Sequence, residues 1–154
     1  MKITIHLPVT PAIKKYLEGR FGKNYHLSLD DWFGCILVNI FENKNYRNYS
    51  IQDKKQKRKT ETYDITMSTS MAEKNGFIVE MKHEYLINNI IDSIFREDLY
   101  MQCLVNKKEF QIEYQTTINT VFDMYDITED DYSVESIKRD LTRKREKIES
   151  KLFI

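Results

Sequence analysis

Glycine and proline are scarce in this chain, four and two among 154 residues. A fold of many short strands and tight turns needs more of both, so long regular elements are expected. Cysteine is nearly absent. Cys35 and Cys103 both fall in segments that read as helices, where buried thiols in a reducing cytoplasm are the plain expectation and a disulfide or two-cysteine redox pair the alternative. No run of about 18 apolar residues occurs, so no membrane-spanning helix is expected. The start, MKITIHLPVTPAIKKY, has no long apolar stretch and no small-residue cleavage site, which argues against secretion. Histidine is limited to His6, His26 and His83, none at metal-ligand spacing. There is no glycine-rich phosphate loop and no serine or cysteine nucleophile motif, so neither cofactor, metal nor catalytic residue is expected.

Net charge is absent too, with 24 basic against 24 acidic residues, yet the charges are segregated along the chain. Residues 43–60 hold seven bases and one acid. Residues 122–136 hold six acids and no base, and residues 137–151 return to seven bases against three acids. Blocks of one sign create local fields that the net charge conceals.

Apolar residues make up 41% of the chain, enough for a core. KITIHL alternates as a short strand, and Ile13, Tyr16, Leu17 and Phe21 share a helical face between Pro11 and Gly22. Ser28 is the expected cap of a helix whose stripe includes Trp32, Phe33, Ile36, Leu37 and Ile40, with Trp32 largely buried. TYDITMS and FIVEMK, joined at Asn75-Gly76, read as a hairpin. Helices are expected over residues 84–105 and 109–126, followed by a basic helix with Val134, Ile137, Leu141, Ile148 and Leu152 on one side. The sum is an α+β chain, mainly helical with a small antiparallel sheet. Its organisation reads as a core domain over residues 1–105, carrying a basic loop at 43–60, and a helix-turn-helix-like unit over 106–154.

The chemistry rests on the charge blocks. In the last helix Lys138, Arg139, Arg143, Lys144, Arg145 and Lys147 are candidate contacts to nucleic-acid phosphates. The N-terminal end of that helix is acidic, which suits backbone gripping better than base reading. In the loop, Tyr46 and Tyr49 interleave with Arg47, Lys57 and Arg58, a pattern that stacks bases and holds phosphates. Both segments are equally compatible with solvated charged faces. Asp131 or Ser133 is expected to cap the last helix, and Glu129-Asp130-Asp131 reads as capping chemistry more than as a cation loop. Asp64 on one hairpin strand, facing Glu80 and Lys82 on the other, resembles the metal site of PD-(D/E)XK nucleases, although Tyr63 replaces the motif's proline.

Three phrases in order, TPAIKKYLEGRFG, INNIIDSIFREDLYMQC and INTVFDMYDITEDDYSVESIKRDLTRKREK, resemble small proteins carried by phages and mobile elements of Bacteroidetes-type bacteria. Their tails share a hydrophobic helix, an acidic turn and a basic helix. The resemblance implies a DNA-related role in regulation or replication, carried by Lys138, Arg139, Arg143, Lys144 and Arg145. The leading expectation is therefore a non-enzymatic, cytoplasmic DNA-binding protein. A structural adaptor or inhibitor acting on a host or phage protein, or through homo-oligomer contacts, is the alternative, and a nuclease the third.

Overall fold

The computed structural model describes residues 1–42, 59–75 and 79–152. Its elements are β1 (Lys2–Val9), α1 (Pro11–Phe21), β2 (Asn24–His26), α2 (Trp32–Glu42), β3 (Glu61–Ser68), α3 (Thr69–Asn75), α4 (Met81–Phe110), α5 (Tyr114–Tyr125) and α6 (Val134–Leu152). The protein is mainly helical with a small sheet, an α+β architecture. It divides into two compact units at Ile91/Asp92, within α4, whereas the sequence reading sets its boundary after residue 105.

In the first unit the sheet order is β1-β3-β2. β1 and β3 are antiparallel, with Ile5 opposite Ile65, and β2 lies parallel to β3, with Tyr25 opposite Ile65. The sheet is thus mixed, not antiparallel. Alternation sends Leu7, Val9, Tyr25, Tyr63, Ile65 and Met67 to the buried face, leaving Thr4, His6 and His26 exposed. Against that buried face packs an aromatic cluster. Phe33 stands at its centre, with ring centroids 5.0 Å from Tyr25, 5.4 Å from Phe21 and 6.1 Å from Tyr63. Trp32 is only half-buried, contrary to expectation, because it sits at the cluster's rim against Phe21 and Tyr16.

α1 begins as its sequence suggests. The Thr10 hydroxyl accepts from the Ile13 N–H, Pro11 takes the first turn, and Gly22, at φ 85°, ends the helix. α2 starts later than expected. Ser28 turns back on the Asp30 N–H, and the Asp31 carboxylate accepts from the Gly34 N–H at 2.7 Å and from the Tyr25 hydroxyl. Cys35 is exposed on α2, not buried as expected, with its thiol donating to the Leu29 carbonyl. Cys103 is buried.

The expected hairpin is not formed. The antiparallel partner of β3 is β1, some sixty residues earlier. Asn75 closes α3, Phe77 lies outside the described residues, and Met81 and Lys82 already belong to α4. Helix wins there because it has its own start. The Glu80 carbonyl accepts from the His83 and Glu84 N–H groups, while the His83 ring reaches back to accept from the Glu80 N–H at 3.1 Å.

The second unit comprises the C-terminal part of α4 with α5 and α6. α4 runs to Phe110 and stops where Gln111 adopts a left-handed conformation, φ 56°. α5 ends at Asp126, also left-handed. The Ile127 N–H returns to the Phe122 carbonyl and the Asp126 N–H to that of Asp123. Phe95, Leu99, Tyr100, Cys103, Ile118, Phe122, Ile127, Tyr132, Ile137 and Leu141 form the buried core. Residues 126–133 separate α5 from α6. That connection is longer than the three or four residues of a helix-turn-helix, and it buries Ile127 and Tyr132 in its own right.

Candidate nucleic-acid interface

The start of α6 is built from the acidic block. Ser133 Oγ accepts from the Ser136 N–H, both oxygens of Glu129 lie 3.2 Å from the Val134 N–H, and Asp131 accepts from the Thr128 N–H. The carboxylates thus close the turn and occupy the positive end of the helix. Of the two expected caps, Ser133 fills that place and Asp131 serves the turn.

The helix is then anchored by a polar network that the sequence reading missed. Arg96 on α4 donates to Asp92 at 3.0 Å and to Asp140 on α6 at 2.5 Å. The Tyr100 hydroxyl donates to Asp140 at 3.2 Å, and the Tyr132 hydroxyl donates to Asp92. The Arg96 guanidinium lies over the Tyr132 ring, 5.2 Å from its centroid. Burial opposes the charge of Arg96, yet Asp92 and the surrounding hydroxyls hold its pKa above the ordinary value. Burial also raises the phenol of Tyr100, to about 12. Asp92, Arg96 and Tyr100 recur at four-residue spacing, a signal visible in the chain but not in its charge blocks.

This anchoring sorts the six basic candidates of α6 into two groups. Lys144 pairs with Glu97 and lies over the Tyr100 ring, 5.6 Å from its centroid. Arg145 is half-buried, with its pKa raised above the ordinary value chiefly by the neighbouring Tyr114 hydroxyl, and approaches Glu149 at 3.9 Å. Lys138 is half-buried. These three flank the seam formed by Val134, Ile137, Leu141 and Ile148. Arg139, Arg143 and Lys147 are exposed, and Lys151 extends their series.

Residues four apart on a helix advance by about 6 Å and rotate by about 40°, so this second group winds as one stripe along the outside of α6. Arg143 is 74% exposed, with Asp140 at 4.0 Å, the limit of an ion pair. Among the described residues, neither Arg139 nor Lys147 has a carboxylate within that distance. Glu135 precedes Arg139 in the same four-residue row, and Glu146 and Glu149 are exposed beside it. The row is therefore basic from Arg139 to Lys151 and acidic at its N-terminal start, Glu135, with Asp140 beside Arg143.

The loop candidates Tyr46, Arg47, Tyr49, Lys57 and Arg58 lie outside the described residues. The nuclease-like juxtaposition is not assembled. Asp64 on β3 faces His6 on β1, Oδ1 to Nδ1 at 2.5 Å, while Lys82 on α4 pairs with Glu80 just before it. Among the described residues no group of three or more His, Cys, Asp or Glu side chains is placed to hold a metal ion. None of their helices is long and apolar enough to cross a membrane. Comparison with protein-family models, curated proteins and solved structures finds no match to this chain.

Proposed function

We propose that this protein binds DNA without acting on it chemically, gripping the phosphate backbone through Arg139, Arg143 and Lys147. The single observation that carries the reading is the outward stripe itself. Its cations point to solvent, whereas their neighbours Lys144, paired with Glu97, and Arg145 are half-buried. A solvated helix that merely balances its charges would intersperse the signs, as the i,i+4 pairing of such faces favours. Guanidinium and ammonium groups spaced along one line suit a strand of phosphates.

The acidic N-terminal end of α6 repels a phosphate backbone, so contact falls on the centre and C-terminal end of the helix. Binding of this kind supplies affinity more than sequence choice. The loop residues Tyr46, Arg47, Tyr49, Lys57 and Arg58 would add stacking and further cations. The resemblance to proteins of phages and mobile elements supports a cytoplasmic role in regulation or replication.

A second reading, an adaptor that docks on another protein, is favoured by one observation. Met101, Val105 and Phe110 of α4 are exposed, Phe110 to 69%. Salt separates the two. Fluorescence anisotropy with random duplex and single-stranded DNA at rising salt should show affinity falling steeply on a log–log plot. No measurable binding at low salt would end the DNA reading.

A further inference from the structure

Among the described residues β1 presents an open edge, and we propose that a second copy of this chain pairs with it, antiparallel about a two-fold axis at Thr4. This proposal is independent of DNA binding. Four hydrogen bonds establish which way the backbone of β1 points. The Thr69 N–H donates to the Met1 carbonyl directly opposite it. Hydrogen-bonded pairs alternate along an antiparallel ladder, so Ile3, Ile5 and Leu7 also turn their peptide groups toward β3. Lys2, Thr4, His6 and Pro8 turn theirs to the free edge.

The other bonds agree. The Leu27 N–H donates to the Thr66 carbonyl, placing the even-numbered groups of β3 on the side away from β1. On the free edge, Asn88 Nδ2 donates to the Pro8 carbonyl at 3.0 Å, and Asn88 Oδ1 accepts from the Thr10 N–H at 3.1 Å. The carboxamide of Asn88 thus stands in for a neighbouring strand at one end. Proline supplies no donor there, so that end is closed.

Among the described residues nothing comparable covers the other end. Among the described residues, the outward N–H and C=O groups of Lys2, Thr4 and His6 have no partner. Lys2, Ile3, Thr4 and His6 are all exposed. An edge left straight and unpaired is a template for another strand.

The sequence KITIHL is self-complementary in one register. With Thr4 opposite the partner's Thr4, Lys2 stands opposite the partner's His6, and all six outward groups of each strand are satisfied at once. The intervening pairs then set Ile3 against the partner's Ile5 on the inner face. Ile3 is an exposed large apolar residue, 38% accessible, continuous with the buried Leu7 and Val9. Pairing covers it in both copies. Thr4 against Thr4 is itself a favourable cross-strand pair.

The test uses the full chain. Sedimentation equilibrium should show a dimer. Thr4→Pro removes an N–H that points away from β3, so the internal ladder is spared while dimer affinity falls by at least about tenfold. Oxidative cross-linking checks the register, in a Cys35→Ser background. Thr4→Cys places two thiols across the axis on Cα atoms about 5.5 Å apart and should yield a covalent dimer. Lys2→Cys places them roughly 13 Å apart and should not. A monomer at every concentration, a dimer indifferent to Thr4→Pro, or equal cross-linking at both positions would overturn the proposal.

Discussion

Arg96 and Asp140 lie 44 positions apart in the chain and meet at 2.5 Å, joining α4 to α6. The same guanidinium holds Asp92 and the Tyr100 hydroxyl, so removing it leaves two carboxylates and one phenol without their shared donor. Arg96→Met keeps length and helix propensity and should cost about 2–3 kcal/mol of unfolding free energy. Asp140→Asn should cost less, because the amide oxygen still accepts from Arg96 and Tyr100. Urea denaturation of the two single variants and the double variant measures their coupling. Strict additivity would mean that the bond does not hold α6.

The first unit depends on a close approach at Gly34. A methyl group there would collide with the Ser28 carbonyl oxygen and the Tyr25 hydroxyl. Gly34→Ala should therefore cost about 3 kcal/mol, although alanine is the better helix former. Phe33→Ala should cost about 3–5 kcal/mol and Trp32→Ala distinctly less, since Phe33 is wholly buried and Trp32 lies at the rim. Thermal denaturation ranks the three. A larger loss at Trp32 than at Phe33 would contradict the cluster as described.

The two thiols should behave differently. Cys35 is exposed, while burial lifts the Cys103 thiol to about 11. Near neutral pH an aromatic disulfide reagent should modify one thiol in the native protein and two in denaturant. The folded state holds the Cys103 proton more tightly than the unfolded chain, whose thiol titrates near 9. Its contribution is thus fully present below pH 9 and lost between pH 9 and 11, on the order of 2 kcal/mol. Cys103→Ala should be less stable near neutrality but lose stability less steeply above pH 9. Rapid native modification of Cys103 would contradict its burial.

Local signals made much of the fold legible. Thr10-Pro11 and Gly22 bracket α1, the alternation in KITIHL and TYDITMS marks both long strands, and the 3–4 spacing of Val134, Ile137 and Leu141 marks α6. What failed was non-local or lacked a residue signature. Nothing local tells Tyr63 that its partner is Leu7, so the nearer FIVEMK looked like the second strand. The reciprocal Glu80–His83 cap uses a histidine where a glutamate is usual, and Gln111 and Asp126 take a conformation that glycine normally announces. For the candidate site, the run of bases was plain, but its division was not. Which cations face outward depends on where Ile137 and Leu141 dock and on partners such as Glu97 and Tyr114.

The division of α6 is also the point at which the functional account is most exposed. Duplex-DNA affinity should be measured by anisotropy across a salt series for two variants of matched charge loss per site. Arg139→Gln, Arg143→Gln and Lys147→Gln together remove the outward stripe, while Lys144→Gln with Arg145→Gln removes the inward pair. Circular dichroism confirms the fold of each. The triple variant should bind more weakly and lower the slope of log affinity against log salt by nearly three units, about 0.9 for each lost phosphate contact. The inward pair should leave the slope unchanged, whatever it does to stability. An unchanged slope in the triple variant, or an equal fall per charge in both, would contradict the assignment of DNA binding to this face.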